Sequence, residues 1–339
     1  MKKKRHSIKD IAKELKVSTT TVSFVLNGKA KQMGISEKLA DRIIKYTDLI
    51  GYKPNQLAKS LRTGKSKIIV FMVEDIANYF FAKIARLIED MAYERGYKVL
   101  FCSNENNDQK SKDLINLFKE RNVDGYIIIP SPGIKGEIAN LLKEGIPVVL
   151  FDRYFPELET DYVVINNELA SYNATKHLIE NDFHKIGFIT INTDQIQMFD
   201  RKKGYQRAIQ EEDLEENILE IDYTNSETRN KELIKSYFQT EELDAVYFAA
   251  NYLTQYGLEV IKNGFPEFFE NKAVITFDDH DFFRIHSPSI SAISQPREDL
   301  ARNLMDLMLS QLENSELAER QIVLNANLRP RESTLKKSR

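Results

Sequence analysis

The chain has little of what several classes of protein depend on. Cys102 is the only cysteine among 339 residues, which excludes an intrachain disulfide and a cysteine metal cluster. Because its neighbours in KVLFCS predict a buried strand, we expect a packed, inert thiol. No apolar run is long enough to span a bilayer, and no apolar segment follows the charged start MKKKRH as it does in a secretory signal. These absences favour a cytoplasmic protein without a membrane partner.

Motifs for enzyme chemistry are also missing. No G-x-G occurs, so there is neither a dinucleotide fingerprint nor a P-loop, and no motif suggests a Ser-His-Asp arrangement. The run DDHD at 278–281 offers three carboxylates and His280. Adjacent residues in one turn point in different directions, however, which does not suit a metal ion. We therefore predict a protein that is not an enzyme and that needs neither cofactor nor metal.

The charge of the chain is unevenly divided. Residues 1–67 hold 17 Lys and Arg against 5 Asp and Glu, a net charge of +12. The remaining residues hold 31 basic and 46 acidic side chains, a net charge of −15, so the whole chain is near neutral at −3. A basic head on an acidic body suits a head that binds a polyanion and a body that avoids it.

Residues 7–27, SIKDIAKELKVSTTTVSFVLN, predict two short helices joined by a tight turn at Lys16-Val17. Apolar residues recur at helical spacing in both helices, and Ser18 is a suitable N-cap for the second. Such a pair is either an ordinary αα-hairpin or a helix-turn-helix that reads DNA. Hydroxyl side chains near the start of the second helix and the basic flank MKKKRH favour DNA binding.

A third helix is predicted from the N-cap Ser36 to Gly51, and it would close the core of a three-helix head over residues 1–53. Its predicted apolar side consists of Leu39, Ile43, Ile44 and Leu49. Residues 54–66 begin with Pro54-Asn55 and continue as QLAKSLRTGKS. This short segment is either a solvated linker or a hinge helix that orders when it meets DNA.

From residue 67 onward, short apolar strands alternate with amphipathic helices, a pattern that predicts βαβ units and parallel sheets. The alternation restarts at YVVIN, so we predict an α/β core (67–334) of two doubly wound parallel-sheet subdomains, with ligands at the carboxyl ends of strands. The first subdomain is expected at about 67–162 and, through a late helix at 297–312, at 296–318. The second is expected at about 163–295 and 319–334, before a tail at 335–339.

Taken in order, these motifs resemble the LacI/GalR family of bacterial transcription repressors. SIKDIAKELKVSTTTVSFVLNGK and GYKPNQLAKSLRTGKS look like its helix-turn-helix and hinge. The core signatures that look similar are NYFFAKIARLIEDMAYERGYKVLFC, VDGYIIIP, IPVVLFDR, DRKKGYQRAI, ISAISQP and LRPRESTL. The resemblance implies a homodimer on a near-palindromic double-stranded DNA operator, with heads in successive major grooves and paired hinge helices in the minor groove. The tail LKKSR is too short for a heptad bundle, which favours a dimer over a tetramer.

Residue-wise matching to the family places Thr19, Thr20 and Phe24 at base-reading positions, and Leu61 at the hinge leucine that wedges between base pairs. The residues expected to meet DNA are Ser18, Thr19, Thr20, Thr21, Ser23, Phe24, Asn27, Asn55, Ala58 and Leu61. Lys16 stands where the family often has Gly, which implies a strained or adjusted backbone. Phe24 replaces a common polar or basic reader, so it either touches a thymine methyl or packs inside.

The resemblance also implies a ligand cleft between the two core subdomains, as in periplasmic sugar-binding proteins. The residues matched to that cleft are Phe80, Phe81, Asp152, Arg153, Arg201, Asn251 and Asp278. Aromatic faces suit sugar C–H groups, and the polar side chains suit hydroxyls or an acidic group. Alternatively, Phe81 belongs to the core, and Asp152 and Arg153 form a structural ion pair. Tyr252 replaces an Asp that often follows the family's Asn, which points away from common hexoses.

These features predict an allosteric repressor of carbohydrate-use genes, controlled by a small sugar or sugar derivative. The alternative is a sugar-binding receptor or solute-binding module without DNA function. That class predicts a signal peptide and no basic head, and this sequence shows the reverse. An α/β enzyme would need a catalytic constellation that the sequence does not show.

Overall fold

The computed structural model describes residues 6–52, 64–314 and 320–335. The chain divides into two compact units, a head at Met1–Ser66 and a core unit at Lys67–Arg339. Within the described ranges, every helix is too short or too polar to cross a membrane.

The head is built from three helices, α1 (Ile8–Leu15), α2 (Thr19–Leu26) and α3 (Glu37–Leu49). Each helix begins after a serine whose side chain accepts a hydrogen bond from a backbone N–H of the first turn, namely Ser7, Ser18 and Ser36. Such N-caps stabilise a helix by about 1 kcal/mol each. Ile11, Val22 and Ile43 are fully buried between the helices, which confirms a helix-turn-helix pair closed by a third helix.

The buried side of α3 is narrower than the sequence pattern predicts. Ile44 and Leu49 were expected on that side but are 44 % and 82 % exposed. The helix buries Ala40, Ile43 and Thr47 instead, and their spacing of three and four residues makes a single stripe. A head this small offers α3 only two neighbouring helices, so residues beside that stripe stay in solvent.

The turn between α1 and α2 contains a left-handed residue. Lys16 has φ 51° and ψ 45°, and its backbone N–H bonds to the carbonyls of Ala12 and Lys13. This is the strained backbone that the departure from Gly implies. A side chain in this conformation costs roughly 1 kcal/mol relative to Gly.

We therefore expect Lys16→Gly to raise the free energy of unfolding of the head by about 1 kcal/mol. The matched control is Lys13→Gly, inside α1, which is expected to lower that free energy by about 1 kcal/mol. Hydrogen exchange of the α1 and α2 amides in the full chain measures both changes. A head that loses protection in Lys16→Gly would show that the turn carries no strain.

The core unit contains two six-stranded sheets. Its strands are β1 (Ile68–Val73), β2 (Lys98–Ser103), β3 (Gly125–Ile128), β4 (Val148–Phe151), β5 (Asp161–Ile165), β6 (Ile186–Asn192), β7 (Asn217–Asp222), β8 (Ala245–Phe248), β9 (Ala273–Phe277), β10 (Ser291–Ser294), β11 (Gln321–Leu324) and β12 (Asn327–Arg329). Its helices are α4 (Tyr79–Glu94), α5 (Asp108–Glu120), α6 (Lys135–Lys143), α7 (Asn167–Glu180), α8 (Ile196–Glu211), α9 (Glu227–Thr240), α10 (Asn251–Gly264), α11 (Phe268–Asn271), α12 (Asp281–Ile285) and α13 (Arg297–Glu313), followed by a 3-10 turn at Glu332–Thr334.

The first sheet has the strand order β11-β5-β4-β3-β1-β2, and the second has the order β12-β10-β9-β8-β6-β7. We call each sheet with its flanking helices the first lobe and the second lobe. All strand pairs are parallel except β10 with β12. The central strands are buried along their length, as expected for parallel sheets covered on both faces. The α/β core of two doubly wound units is therefore confirmed.

The boundary between the lobes differs from the sequence prediction at two strands. Residues 163–165 and 321–324 were assigned to the second subdomain, but β5 pairs with both β4 and β11 in the first sheet. Local periodicity identifies a strand but not its neighbours in a sheet, so it does not show that β5 continues the sheet of β4. The chain thus crosses between lobes after β5, between β10 and α13, and between β11 and β12. The late helix α13 packs on α4 and on β3, β4 and β5, which confirms its predicted return to the first lobe.

Candidate functional sites: the head and the cleft

The first turn of α2 presents hydroxyl groups. The side chain of Ser18 accepts a hydrogen bond from the backbone N–H of Thr21 (3.0 Å) and lies 2.8 Å from the Thr21 hydroxyl. These two side chains hold the cap, whereas Thr19 and Thr20 are exposed. The start of a helix carries a partial positive charge, so this turn suits the acceptor atoms of phosphates or base edges.

Of the other residues predicted to meet DNA near α2, Ser23 and Phe24 are half-buried, and Asn27, the C-cap of the helix, is exposed. The side-chain nitrogen of Asn27 donates to the carbonyl oxygen of Ser23 (2.7 Å) and lies 3.3 Å from its hydroxyl, so both side chains are engaged within the helix. Phe24 is half-buried and is not one of the side chains of the head's apolar core. The three hinge residues predicted to meet DNA lie outside the described residues: Asn55, Ala58 and Leu61.

In the core unit, acidic residues stand at the carboxyl ends of strands in both lobes. Asp152 directly follows β4 and Asp278 directly follows β9, with φ of 66° and 72°. Asp tolerates this left-handed conformation better than most residues do. The side chain of Asp278 accepts hydrogen bonds from Gln295 (2.6 Å) and Asn251 (3.4 Å). The two lobes thus bring one carboxylate each to the space between them.

Arg201, on α8, is held rigidly beside these carboxylates. Its Nε donates to the side-chain oxygen of Asn167 and its Nη1 to the carbonyl oxygen of Ala249, both at 2.8 Å. The guanidinium also lies over the ring of Phe277, 3.5 Å from its centroid. Only 5 % of Arg201 is exposed. A cation fixed in this way is ready to hold a ligand without further ordering of its side chain.

Arg153 lies between two carboxylates, and its shorter ion pair is with Glu74, not with the predicted Asp152. Its Nη2 lies 2.7 Å from Glu74, whereas its Nε is 4.0 Å from Asp152. The Nε and Nη1 atoms are buried without a hydrogen-bond partner among the described residues. Arg153 therefore supports Glu74 from behind and does not line the space between the lobes.

That space is a small cavity of about 50 Å³. Six of the seven predicted effector residues line it: Phe80, Phe81, Asp152, Arg201, Asn251 and Asp278. Tyr252, whose departure from the family pattern points away from common hexoses, also lines it. Sequence reasoning missed several others: Glu74, Asn78, Gln197, Tyr223 and Gln295. Ligand pockets usually measure roughly 300–1,000 Å³, so the lobes have to separate before a small molecule can enter.

The two phenylalanines serve both the core and the cavity. Phe80 and Phe81 are 5 % and 7 % exposed, and their ring centroids lie 6.1 and 6.4 Å from that of Phe151. Both also line the cavity. The core alternative for Phe81 and its predicted place in the cleft are thus compatible.

Side-chain hydrogen bonds between the lobes close the cavity. The Tyr223 hydroxyl donates to Glu74, and the Asn251 amide donates to the side-chain oxygen of Asn78, each at 3.1 Å. The Tyr79 hydroxyl also bonds to Asp281. Since these contacts join side chains, they can open without breaking either sheet.

Burial sets the charge balance of the cavity. It raises the pKa of Asp152, and the negative charges of Asp278 and Glu74 raise that pKa further, against the opposing effects of Arg153 and Arg201. Burial also raises the pKa of Asp278, opposed by Arg201 and by the hydrogen bond from Gln295. For both groups the loss of hydration outweighs the neighbouring cations.

We expect the free energy of unfolding of the ligand-free core unit to fall as pH rises from about 4 through these raised pKa values. The folded state holds the protons more tightly than the unfolded chain does, so this stability is complete below the unfolded pKa and is lost above it. In Asp278→Asn, the free energy of unfolding should decline less over this pH range. The difference should be about 1.4 kcal/mol for each unit by which folding raises the pKa of Asp278. Urea denaturation between pH 4 and 8 measures the effect.

The control for that experiment is Asp222→Asn. Hydrogen bonds from Thr224 lower the pKa of this exposed carboxyl, so its contribution is present above the unfolded pKa and is lost below it. We expect this control to leave the decline between pH 4 and 8 as it is in the wild type. A decline equally steep in Asp278→Asn would show that its burial carries no cost.

The remaining members of the DDHD run take separate partners. Asp279 lies 2.6 Å from Arg331, and His280 accepts a hydrogen bond from the backbone N–H of Phe282 (2.9 Å) at the start of α12. Asp281 pairs with Arg284 and with Tyr79. The run therefore stabilises this corner of the second lobe.

Parts of the sequence match two protein families, and nearly the whole sequence is similar to a known repressor. Residues 7–55 match the bacterial regulatory proteins of the lacI family, and residues 175–334 match the periplasmic binding protein-like domain. The HTH-type transcriptional repressor PurR of Aliivibrio fischeri is 28 % identical over 335 residues, which cover 97 % of this chain and 98 % of that protein.

Two solved structures share the fold. The lac repressor dimer bound to operator and the anti-inducer ONPF has a TM-score of 0.85 over 98 % of this chain and 100 % of that chain, at 18 % identity. A periplasmic binding protein/LacI transcriptional regulator from Alkaliphilus metalliredigens, complexed with D-xylulofuranose, has a TM-score of 0.69 over 79 % of this chain and 99 % of that chain, at 22 % identity. The head thus matches the lacI family of bacterial regulatory proteins and the core matches the periplasmic binding protein-like domain, the two parts of a LacI-family DNA-binding transcriptional regulator.

Proposed function

We propose that this repressor changes its affinity for a near-palindromic operator when a small sugar or sugar derivative binds between its lobes, and that it controls carbohydrate-use genes as a homodimer. The observation that carries the proposal is the convergence of side chains from both lobes on one small cavity. A ligand bound there contacts both lobes at once. It therefore affects the angle between them.

The lining suits a sugar because it combines apolar faces with fixed polar groups. Phe80 and Phe81 supply ring faces for C–H groups, while Asp278 and Arg201 supply an acceptor and a donor for hydroxyls. Gln197 is 5 % exposed and its side-chain oxygen has no donor among the described residues. A ligand hydroxyl would satisfy that oxygen.

The charges around the cavity favour a neutral ligand over a sugar acid or phosphate. Three carboxylates stand at the cavity, on Glu74, Asp152 and Asp278, against the guanidinium of Arg201 in the lining and that of Arg153 behind it. The excess of negative charge disfavours an anion in this buried place. That the Alkaliphilus regulator of the same fold holds D-xylulofuranose supports the same class of ligand.

On the DNA side, we propose that Thr19 and Thr20 contact base edges or phosphates, because they are the exposed hydroxyls of the α2 first turn. Ser18, whose hydroxyl is engaged in the cap, contributes to helix geometry and phosphate contact more than to base reading. Phe24 is half-buried outside the head's core, which favours contact with a thymine methyl over packing inside. The Leu61 wedge stays a prediction.

The link between cavity and operator follows from the way the lobes are joined. The chain crosses between them three times, so a change in their angle moves the first lobe as a rigid body. A ligand that binds more tightly when the lobes are at one angle shifts the population of molecules toward that angle. In a dimer this changes the spacing of the two heads and hence the operator affinity.

A thermal-shift screen of neutral sugars, sugar acids and sugar phosphates tests the proposal. We expect a neutral sugar to stabilise the core unit by about 2.7 kcal/mol at a hundred times its dissociation constant, and to change operator affinity in a second assay. Sugar acids and phosphates should have smaller effects. A screen in which none of these compounds stabilises the chain would contradict the proposal.

A further inference from the structure

A second chamber adjoins the cavity between the lobes. Its volume is about 400 Å³, against about 50 Å³ for the inner cavity. The two spaces share a wall that includes Glu74, Asn78, Tyr223, Asn251 and Tyr252. Because the hydrogen bonds that close this wall join side chains, one ligand can extend from the cavity into this outer chamber when they open.

Beyond the shared wall, the outer chamber is lined by aromatic rings and uncharged amides. The rings of Tyr79 and His280 are tilted by 36° with centroids 3.9 Å apart, and Tyr256 stands edge-on to Tyr252 at 6.2 Å. Three amide side chains complete this lining: Asn225, Asn230 and Gln255. Flat ring faces beside amide donors and acceptors suit a polar ring, which stacks on one side and forms hydrogen bonds at its edge.

The charge of the outer chamber disfavours an anionic occupant. Of the described residues that line it, none is Lys or Arg, and two, Glu74 and Asp75, are acidic. Burial lowers the pKa of His280, so this ring is neutral at neutral pH. Cations lie near two rings of the lining. Lys231 is 5.6 Å from the Tyr256 ring and is paired with carboxylates of α9 and α10, while Lys83 and Arg297 are 5.0 and 5.8 Å from the Tyr79 ring, and Lys83 is also 4.0 Å from Asp281. Because the charged residues of the lining itself are acidic, the chamber favours a neutral group over an anion.

A buried acceptor without a donor marks this chamber. Asn230, in the first turn of α9, is 6 % exposed, and its side-chain oxygen has no hydrogen-bond partner in the described part of the chain. Buried acceptors are nearly always satisfied. Gln197 has the same unsatisfied oxygen at the inner cavity, so each space holds one acceptor that a ligand donor would complete.

We infer that the outer chamber is a second ligand subsite and that the effector is a neutral glycoside. Its sugar ring occupies the opened inner cavity, and the ring attached to that sugar lies between the tyrosines of the outer chamber and donates to Asn230. The attached ring is either a second sugar or a nucleobase, since both are neutral, polar and able to stack. This inference rests on the proposed sugar-like effector and extends it.

Isothermal titration of the full chain with matched probes tests the inference. The probes are D-glucose with cellobiose and D-ribose with adenosine, each pair a sugar and its glycoside. We expect one glycoside to bind at least tenfold more tightly than its own sugar. Asn230→Leu and Tyr256→Ala should each remove most of that advantage and leave the affinity for the free sugar within twofold. Asn230 and Tyr256 lie on different helices, so the test still holds if one of the two variants folds poorly.

Each outcome decides the matter. An advantage for cellobiose supports a second sugar, and one for adenosine supports a nucleobase. Equal affinities for sugar and glycoside overturn the second subsite while leaving the proposed function intact. A glycoside advantage that survives both variants places the attached ring elsewhere. No binding of any probe, together with a negative sugar screen, removes the proposed function and the subsite with it.

Discussion

Operator affinity is expected to fall by roughly a thousandfold or more when the salt concentration rises from 50 mM to 200 mM. Residues 1–67 carry a net charge of +12, whereas the rest of the chain carries −15, so the attraction to DNA comes from the head. Each phosphate that a Lys or Arg neutralises releases condensed counterions. The free energy gained from that release falls as the salt concentration rises. With two heads in the proposed homodimer, a total of about 6–10 phosphate contacts is a modest expectation.

Fluorescence anisotropy with an operator selected from random-sequence DNA measures this salt dependence. The control is the affinity for a neutral effector over the same salt series, which should change by less than about twofold because no ion pair with the ligand forms. A flat response of operator affinity would mean that the basic head does not bind the phosphate backbone. It would leave the effector cleft unaffected.

Replacing Arg201 by Ala is expected to weaken effector binding more than a hundredfold, which corresponds to about 3 kcal/mol. The side chain is 5 % exposed and lines the cavity. Its loss also leaves the acceptors of Asn167 and Ala249 unsatisfied, and hydrogen bonds to a charged group contribute about 1.5–3 kcal/mol each. Operator binding without effector should persist, because the head is a separate compact unit.

Two further variants make the Arg201 result interpretable. Arg201→Lys keeps the cation but not the planar fork, so it should fold more stably than the Ala variant and still bind effector poorly. Arg207→Ala removes an arginine from the same helix that is 42 % exposed and pairs with Glu168 on the surface. It should leave the effector titration unchanged. An unaltered titration in Arg201→Ala would remove this residue from the site.

Local signals in the sequence account for the elements but not for all of their partners. The caps at Ser18 and Ser36 and the helical spacing around Ile11 and Ile43 are contained within single helices, so sequence reasoning found them. The pairing of β11 with β5, in contrast, joins residues more than 150 positions apart. Neither strand contains a feature that favours one sheet over the other. Pairing at such a distance is decided by the closure of the whole core.

In the cleft, too, sequence reasoning found the residues that lie in recognisable motifs and missed residues defined by their position in the fold. Asp152, Arg201 and Asp278 lie in stretches that resemble family signatures, and the structure brings them to one cavity. Glu74 and Gln295 were missed, although each is the first residue after a buried strand, β1 and β10. A polar residue directly after each parallel strand is a signal that the sequence contains, because these ends converge at the cleft.

The partner of Arg153 could not be predicted in the same way. Its carboxylate neighbour in the sequence is Asp152, yet the guanidinium reaches across to Glu74 at the end of a different strand. Adjacent side chains near a strand end point to different sides, so sequence neighbours are poor candidates for an ion pair. The identity of the pair depends on strand order, which puts β1 and β4 on either side of β3.

The most direct measurement is the operator affinity of the full chain with and without a saturating concentration of a ligand that stabilises the core unit. A coupling free energy of about 1–3 kcal/mol between cleft and head should change that affinity by roughly 5- to 150-fold. The same ligand should have no effect on the operator affinity of Arg201→Lys. An operator affinity that is identical with and without a ligand shown to occupy the cleft would contradict ligand control of this repressor.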